Sequence, residues 1–123
     1  MKTIFVVDDN SINLLKAEEA LLDHYEVITM LSASTMFELF DNIVPDMILL
    51  DIMMPDISGF DALKQLKANT QHAKIPVIFL TSKNDAATEA RGFEMGATAF
   101  IYKPLSRLLL LDRVKTIFNE CSM

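Results

Sequence analysis

Met47-Ile48-Leu49-Leu50-Asp51-Ile52-Met53-Met54-Pro55 is the stretch on which the fold turns. Four consecutive apolar residues with no polar residue alternating among them describe a strand covered on both faces, as in the middle of a parallel sheet. A carboxylate closes the run and Pro55 follows, so the chain leaves the sheet there. The same pattern recurs on either side, in Ile4-Phe5-Val6-Val7, Val27 to Leu31, Val77-Ile78-Phe79-Leu80 and Ala99-Phe100-Ile101-Tyr102. Among these runs Val27 to Leu31 alone carries a polar residue, Thr29, in its middle, which marks an edge strand.

Amphipathic stretches separate the runs. Asn10 or Ser11 can cap a first helix bearing Leu14, Leu15, Ala17, Leu21 and Leu22. Ser32 or Ser34 opens a second through Phe37 and Phe40, ended before Pro45. Ser58 caps a third carrying Phe60, Leu63 and Leu66. A fourth runs from about Asp85 to Met95, weakened by Gly92 and ended at Gly96. The last follows Pro104 and Leu105. Strict alternation of five strands and five helices predicts an α/β domain, a (βα)5 doubly wound sheet built by right-handed crossovers.

Length and composition set the outer bounds. A chain of 123 residues has room for one domain, spanning 1–123, and 51% hydrophobic residues predict a well-buried core. No apolar run approaches the roughly 20 residues that span a bilayer, and the N-terminus lacks the pattern of a secretory signal. Cys121 is the single cysteine and closes no internal disulfide, which points to the cytoplasm. A net charge of -6 argues against direct nucleic-acid binding, which needs a basic face.

The informative feature is what ends each covered run. The first closes in Asp8-Asp9, the third in Asp51, the fourth in Thr81-Ser82 and the fifth in Lys103. In a parallel sheet all carboxyl ends lie along one edge, where ligands bind near a topological switch point. Three carboxylates, a hydroxyl and an ammonium should therefore share one cleft. Any one of them alone reads as ordinary turn or cap chemistry; the set does not. Crowded carboxylates raise one another's pKa unless a cation sits among them. With oxygen ligands and no His or Cys on offer, Mg²⁺ (or Mn²⁺) is favoured over zinc. An Asp carboxylate can also take a phosphoryl group as an acyl phosphate. Such transfer needs mainly positioning and charge neutralisation.

Asp8-Asp9, Asp51, Met54-Pro55 and Gly59, Thr81, and Lys103-Pro104 resemble, in order and spacing over essentially the whole chain, the receiver domains of bacterial two-component response regulators, chemotaxis regulators among them. The resemblance implies a flavodoxin-like parallel sheet in the order 2-1-3-4-5. It implies a phosphoprotein whose Asp51 is phosphorylated by a histidine kinase or phosphotransfer protein. Asp9, Asp51 and the Met53 carbonyl would hold the metal directly, with Asp8 acting mostly through water. Thr81 and Lys103 would hold the phosphoryl group, and Thr81 and Phe100 take the switch positions. The fourth helix, fifth strand and fifth helix form the expected face for an output domain or homodimer. Met53 and Lys83 fall where the family tunes phosphoryl lifetime. The expected chemistry is self-catalysed phosphorylation and dephosphorylation, not that of an enzyme with a separate substrate, and no membrane partner is implied. The stretch Glu89-Ala90-Arg91-Gly92-Phe93-Glu94 is similar to receivers joined to cyclic-dinucleotide output domains. A start at Met1 directly into the first strand disfavours the C-terminal receiver of a hybrid kinase.

Other readings compete. An aspartate-nucleophile phosphatase carries a second Asp two residues after the nucleophile, where this chain has Met53. A flavodoxin-like FMN carrier needs a phosphate-cradling loop after the first strand, where Asp8-Asp9 would repel the phosphate. An unphosphorylated pseudo-receiver would not keep all five key positions. Elsewhere, His24 and His72 read as solvated, the eight Met residues as core filling, and Phe100 taken alone as core. The Leu108 to Leu111 run is wider than one helix face requires, so it is either partly exposed or deeply buried. Pro104 points to a fixed backbone after Lys103, with a cis bond as in the family.

An acyl phosphate is lost by in-line attack of water, which a carboxylate or amide beside it can orient. Met53 and Lys83 offer neither. Phosphate release after donor removal should therefore be slow for a receiver, and Met53→Asn with Lys83→Glu should speed it. Equal decay in the unmutated and doubly substituted proteins would refute the argument.

Overall fold

The computed structural model describes residues 1–82 and 85–121. Among them five strands and five helices alternate: β1 (Thr3–Val7), α1 (Ser11–Leu21), β2 (Glu26–Met30), α2 (Ala33–Leu39), β3 (Met47–Asp51), α3 (Gly59–Ala68), β4 (Val77–Thr81), α4 (Ala86–Met95), β5 (Ala99–Tyr102) and α5 (Arg107–Cys121). All pairings are parallel and the order is β2-β1-β3-β4-β5. β2 lies at one edge, as Thr29 predicts. β5 forms the other edge, although its run is as apolar as an interior strand. The reason is that both its faces are covered: Phe100 packs into one core and Ile101 into the other.

Side chains alternate across a strand, and the alternation divides the core in two. Phe5, Val7, Ile48, Leu50 and Phe79 face α2 and α3. Ile4, Val6, Met47, Leu49, Ile78 and Leu80 face α1 and α5. The cap ambiguities resolve to Asn10, which accepts from the Ile12 and Asn13 N–H groups, and Ser32, which accepts from Thr35. Ser58 and Asp85 cap α3 and α4 in the same way.

Two local expectations change and one open alternative is decided. Gly92 weakens α4 by propensity, but its presence has a packing cause. A Cβ there would lie 2.8 Å from Phe100 Cε1 and closer still to Cζ, so the ring occupies the space a side chain would need. His72 is not simply solvated: its ring stacks on Phe40 at 4.2 Å between centroids. In the leucine run, Leu110 is fully buried while Leu108 is 83% exposed, so α5 presents part of that run to solvent. The Lys103–Pro104 bond is cis, as the family resemblance implies.

Gly96 ends α4 with φ 106, the left-handed conformation that closes helices. The Lys67 side chain, whose Nζ donates to the Ala73 carbonyl at 2.8 Å, runs beneath it. Gly96→Ala should lower unfolding free energy by about 1–2 kcal/mol in urea titrations, since Cβ disfavours that backbone. Gly96→Asn should cost less.

Candidate functional site

The carboxyl edge of the sheet gathers the residues singled out above. Asp8 follows β1 and is buried, with its N–H donating to the Met30 carbonyl; Asp9, next to it, is exposed. The backbone is leaving the strand between them, so the two carboxylates differ in surroundings although they adjoin in sequence. Asp51 ends β3 and Thr81 ends β4, both buried. Lys103 follows β5, its N–H donating to the Thr81 carbonyl at 2.8 Å.

Lys103 Nζ lies 3.0 Å from Asp8 Oδ2 and 3.2 Å from Asp51 Oδ1. One ammonium thus bridges two buried carboxylates. Asp8 Oδ1 accepts the Asn10 N–H at 2.9 Å, while Oδ2 faces the Lys103 ammonium. Burial pushes Asp51 up to about 6, and the Asp8 charge adds to it; Lys103 and the Met53 N–H oppose the shift without cancelling it. For Lys103 burial pulls downward, but the two carboxylates outweigh it and leave its pKa above the usual lysine value.

Carboxylate oxygens of Asp8, Asp9 and Asp51 come within 4.8 Å of one another. An all-oxygen donor set in which three carboxylates face a single ammonium fits a hard divalent cation. Met53 is 63% exposed and stands at the rim of this group. Phe100 is 7% exposed and lies against Phe79 and Phe93, so its ring is already inside the core. Lys83 lies outside the described residues. Sequence reasoning missed two contacts nearby: the Ser34 hydroxyl donates to Asp56 in the β3–α3 loop at 2.6 Å, and the Arg91 guanidinium sits over Phe60. Neither has a signal in spacing or periodicity.

The sequence profile of the response regulator receiver domain matches residues 4–115. The chain belongs to that family. A Vibrio cholerae protein described as a probable cyclic di-GMP phosphodiesterase is 39% identical over 114 residues, which is 93% of this chain and 26% of that protein. The response regulator PleD of Caulobacter vibrioides is 35% identical over 115 residues, 93% of this chain and 25% of PleD. The chain therefore spans about a quarter of the length of these relatives. Among solved structures, the Vibrio cholerae chemotaxis protein CheY4 superposes with a TM-score of 0.89 at 26% identity, covering 94% of this chain and 98% of CheY4. The BeF3-activated receiver domain of DrrB, a Thermotoga maritima protein, gives 0.87 at 33% identity, covering 97% and 98%. Receiver domains are phosphoacceptors in phosphorelay signalling and bind Mg²⁺ at an acidic pocket. The phosphatase and pseudo-receiver readings are not favoured. No helix among the described residues is long and apolar enough to cross a membrane.

The raised Asp51 pKa has a consequence for stability. With metal chelated, folded Asp51 holds its proton up to about pH 6, whereas the unfolded chain releases it near about 3.9. Stability from this group is therefore present at low pH and lost as pH rises through that window. Asp51→Asn should be near neutral around pH 4 and stabilising at pH 7, by on the order of 2–3 kcal/mol. Urea unfolding in EDTA at both pH values checks this.

Proposed function

We propose that Asp51 accepts a phosphoryl group from the phosphohistidine of a histidine kinase or phosphotransfer protein, and that the chain works as a switch read by another domain or protein. The observation that supports this most directly is the buried Asp51 carboxylate at the end of the central strand, with the Lys103 ammonium at 3.2 Å. In the transfer, an Asp51 oxygen forms the new O–P bond as the N–P bond of phosphohistidine breaks. The imidazole nitrogen keeps that electron pair and is protonated from water.

Asp9, Asp51 and the Met53 carbonyl are the direct holders of Mg²⁺ (or Mn²⁺) in this reading, with Asp8 orienting its water shell. When bound, the cation neutralises charge on the phosphoryl oxygens. Lys103 is already placed to follow one of those oxygens, and the buried Thr81 hydroxyl can donate to another. Phosphorylation turns a single charge into nearly two and adds acceptor oxygens. That change acts on α4, β5 and α5, where Thr81 and Phe100 are the switch positions and the output or dimer face lies. Met53 and Lys83 set how long the phosphoryl group lasts. In this reading the chain acts on its own carboxylate, and we assign it to the cytoplasm on its single cysteine.

Incubation with acetyl phosphate and Mg²⁺ should add one phosphoryl group, placed on Asp51 by mass spectrometry and absent in Asp51→Asn. A phosphate mapped elsewhere in the unmutated protein would overturn the reading. Mg²⁺ titrations should show a larger loss of affinity for Asp9→Ala than for Asp8→Ala, because Asp8 is already committed to Lys103 and the Asn10 N–H. Equal losses would remove that division of roles.

A further inference from the structure

Three consecutive residues of α4 hold a row of aromatic rings at both ends. The row runs from Phe60, in the first turn of α3, to Phe79 on β4 at 5.4 Å, to Phe100 on β5 at 5.4 Å, and to Phe93 on α4 at 5.2 Å between centroids. Successive helix residues point about 100° apart, so positions 91, 92 and 93 address three directions. Arg91 reaches over Phe60, 4.2 Å from the ring centroid. Gly92 gives its side-chain space to Phe100, and Phe93 closes on the same ring edge-on.

The Phe60 end leads to the phosphoryl site. Its neighbour Gly59 donates its N–H to the Ile52 carbonyl at 2.8 Å. A Cβ on Gly59 would lie 2.5 Å from the Asp51 carbonyl oxygen and 2.7 Å from Ile52 Cα. The first turn of α3 is therefore seated on the backbone of the acceptor aspartate, and a shift of Phe60 cannot leave that backbone unmoved. Arg91 makes no ion pair among the described residues, so the ring is the contact that holds its charge. At 4.2 Å it is well inside the range where a guanidinium is attracted to an aromatic face. A cavity of about 320 Å³ lies between α3 and α4 here, lined by Met53, Phe60, Asp61, Thr88 and Arg91 among others, which leaves the contact room to open.

We propose that Arg91 is a positioning residue for the phosphoryl site, tying α4 through the face of Phe60 to the first turn of α3 and so to the backbone of Asp51 and Ile52. The proposal rests on Asp51 being the acceptor. It gives α4 a second link to the site, on the side opposite Phe100. Linkage makes the effect mutual: whatever Arg91 contributes to the metal-bound or phosphorylated geometry, that geometry returns to the Arg91–Phe60 contact.

The test compares Arg91→Ala, Arg91→Lys, Phe60→Leu and the Arg91→Ala/Phe60→Leu double variant in the full chain. Mg²⁺ affinity, the rate of phosphorylation by acetyl phosphate, melting temperature and amide exchange over residues 59–63 are measured for each. Arg91→Ala and Phe60→Leu should each weaken Mg²⁺ binding or slow phosphorylation about two- to fivefold, the factor set by a solvent-exposed cation–π contact. The double variant should be no worse than Phe60→Leu alone, since that substitution already removes the Arg91 contact along with the edge contact to Phe79. Arg91→Lys, which keeps a cation above the ring, should recover part of the loss. Exchange over the first turn of α3 should quicken in Arg91→Ala while the melting temperature stays put. Wild-type behaviour in Arg91→Ala, losses that add in the double variant, or losses that merely follow a fall in melting temperature would each overturn the proposal. Asp51→Asn separates the cases: if phosphorylation of the parent protein does not depend on Asp51, the acceptor reading itself fails, whatever Arg91 does.

Discussion

One ammonium held between two buried carboxylates organises this molecule. Lys103 sits 3.0 Å from Asp8 and 3.2 Å from Asp51, and each comes from a different strand end. A buried charge without a partner is strongly unfavourable, so the three must meet whenever the fold forms. β1 and β3 are neighbours, but β4 stands between β3 and β5. The lysine therefore has to reach across the end of β4, and the residue there is Thr81, short enough to let it pass. Register along the sheet edge and the identity of these end residues are a single constraint.

The same arrangement leaves the site electrostatically unfinished. Two carboxylates share one ammonium, with a third, Asp9, in reach, and Asp51 is held near pKa 6 by burial and by Asp8. The carboxylates still outnumber the cation. Additional positive charge at the exposed side, where Asp9 lies, relieves that imbalance without disturbing the buried pair. The division between a buried Asp8 and an exposed Asp9 follows from one residue of chain direction as β1 ends.

Much of this could be read from the chain. Apolar runs locate the strands to within a residue because strands covered on both faces leave no room for polar positions, and the residues ending those runs are the ones the structure brings together. Ser58 and Gly96 act where local cap chemistry says they should. The sheet order came from family resemblance, since alternation alone does not order strands. What escaped depends on packing between elements distant in sequence. Gly92 looks like a flaw in a helix until Phe100 is beside it. His72 looks solvated until Phe40 is beneath it, and Arg91 looks like one more surface charge until it is seen over Phe60. Periodicity reports which face of an element is buried, not which partner buries it.

The fit of Phe100 against Gly92 also limits the order in which descendants of this sequence can change. Any side chain at position 92 collides with the ring, whereas a smaller residue at position 100 merely leaves a void, unfavourable in a packed core but compatible with folding. Divergence at this pair is therefore directional: position 100 must shrink before position 92 can grow, and the reverse order passes through a clash. In alignments of related chains, the two positions should vary as complementary volumes, with intermediates that carry the void and not the overlap.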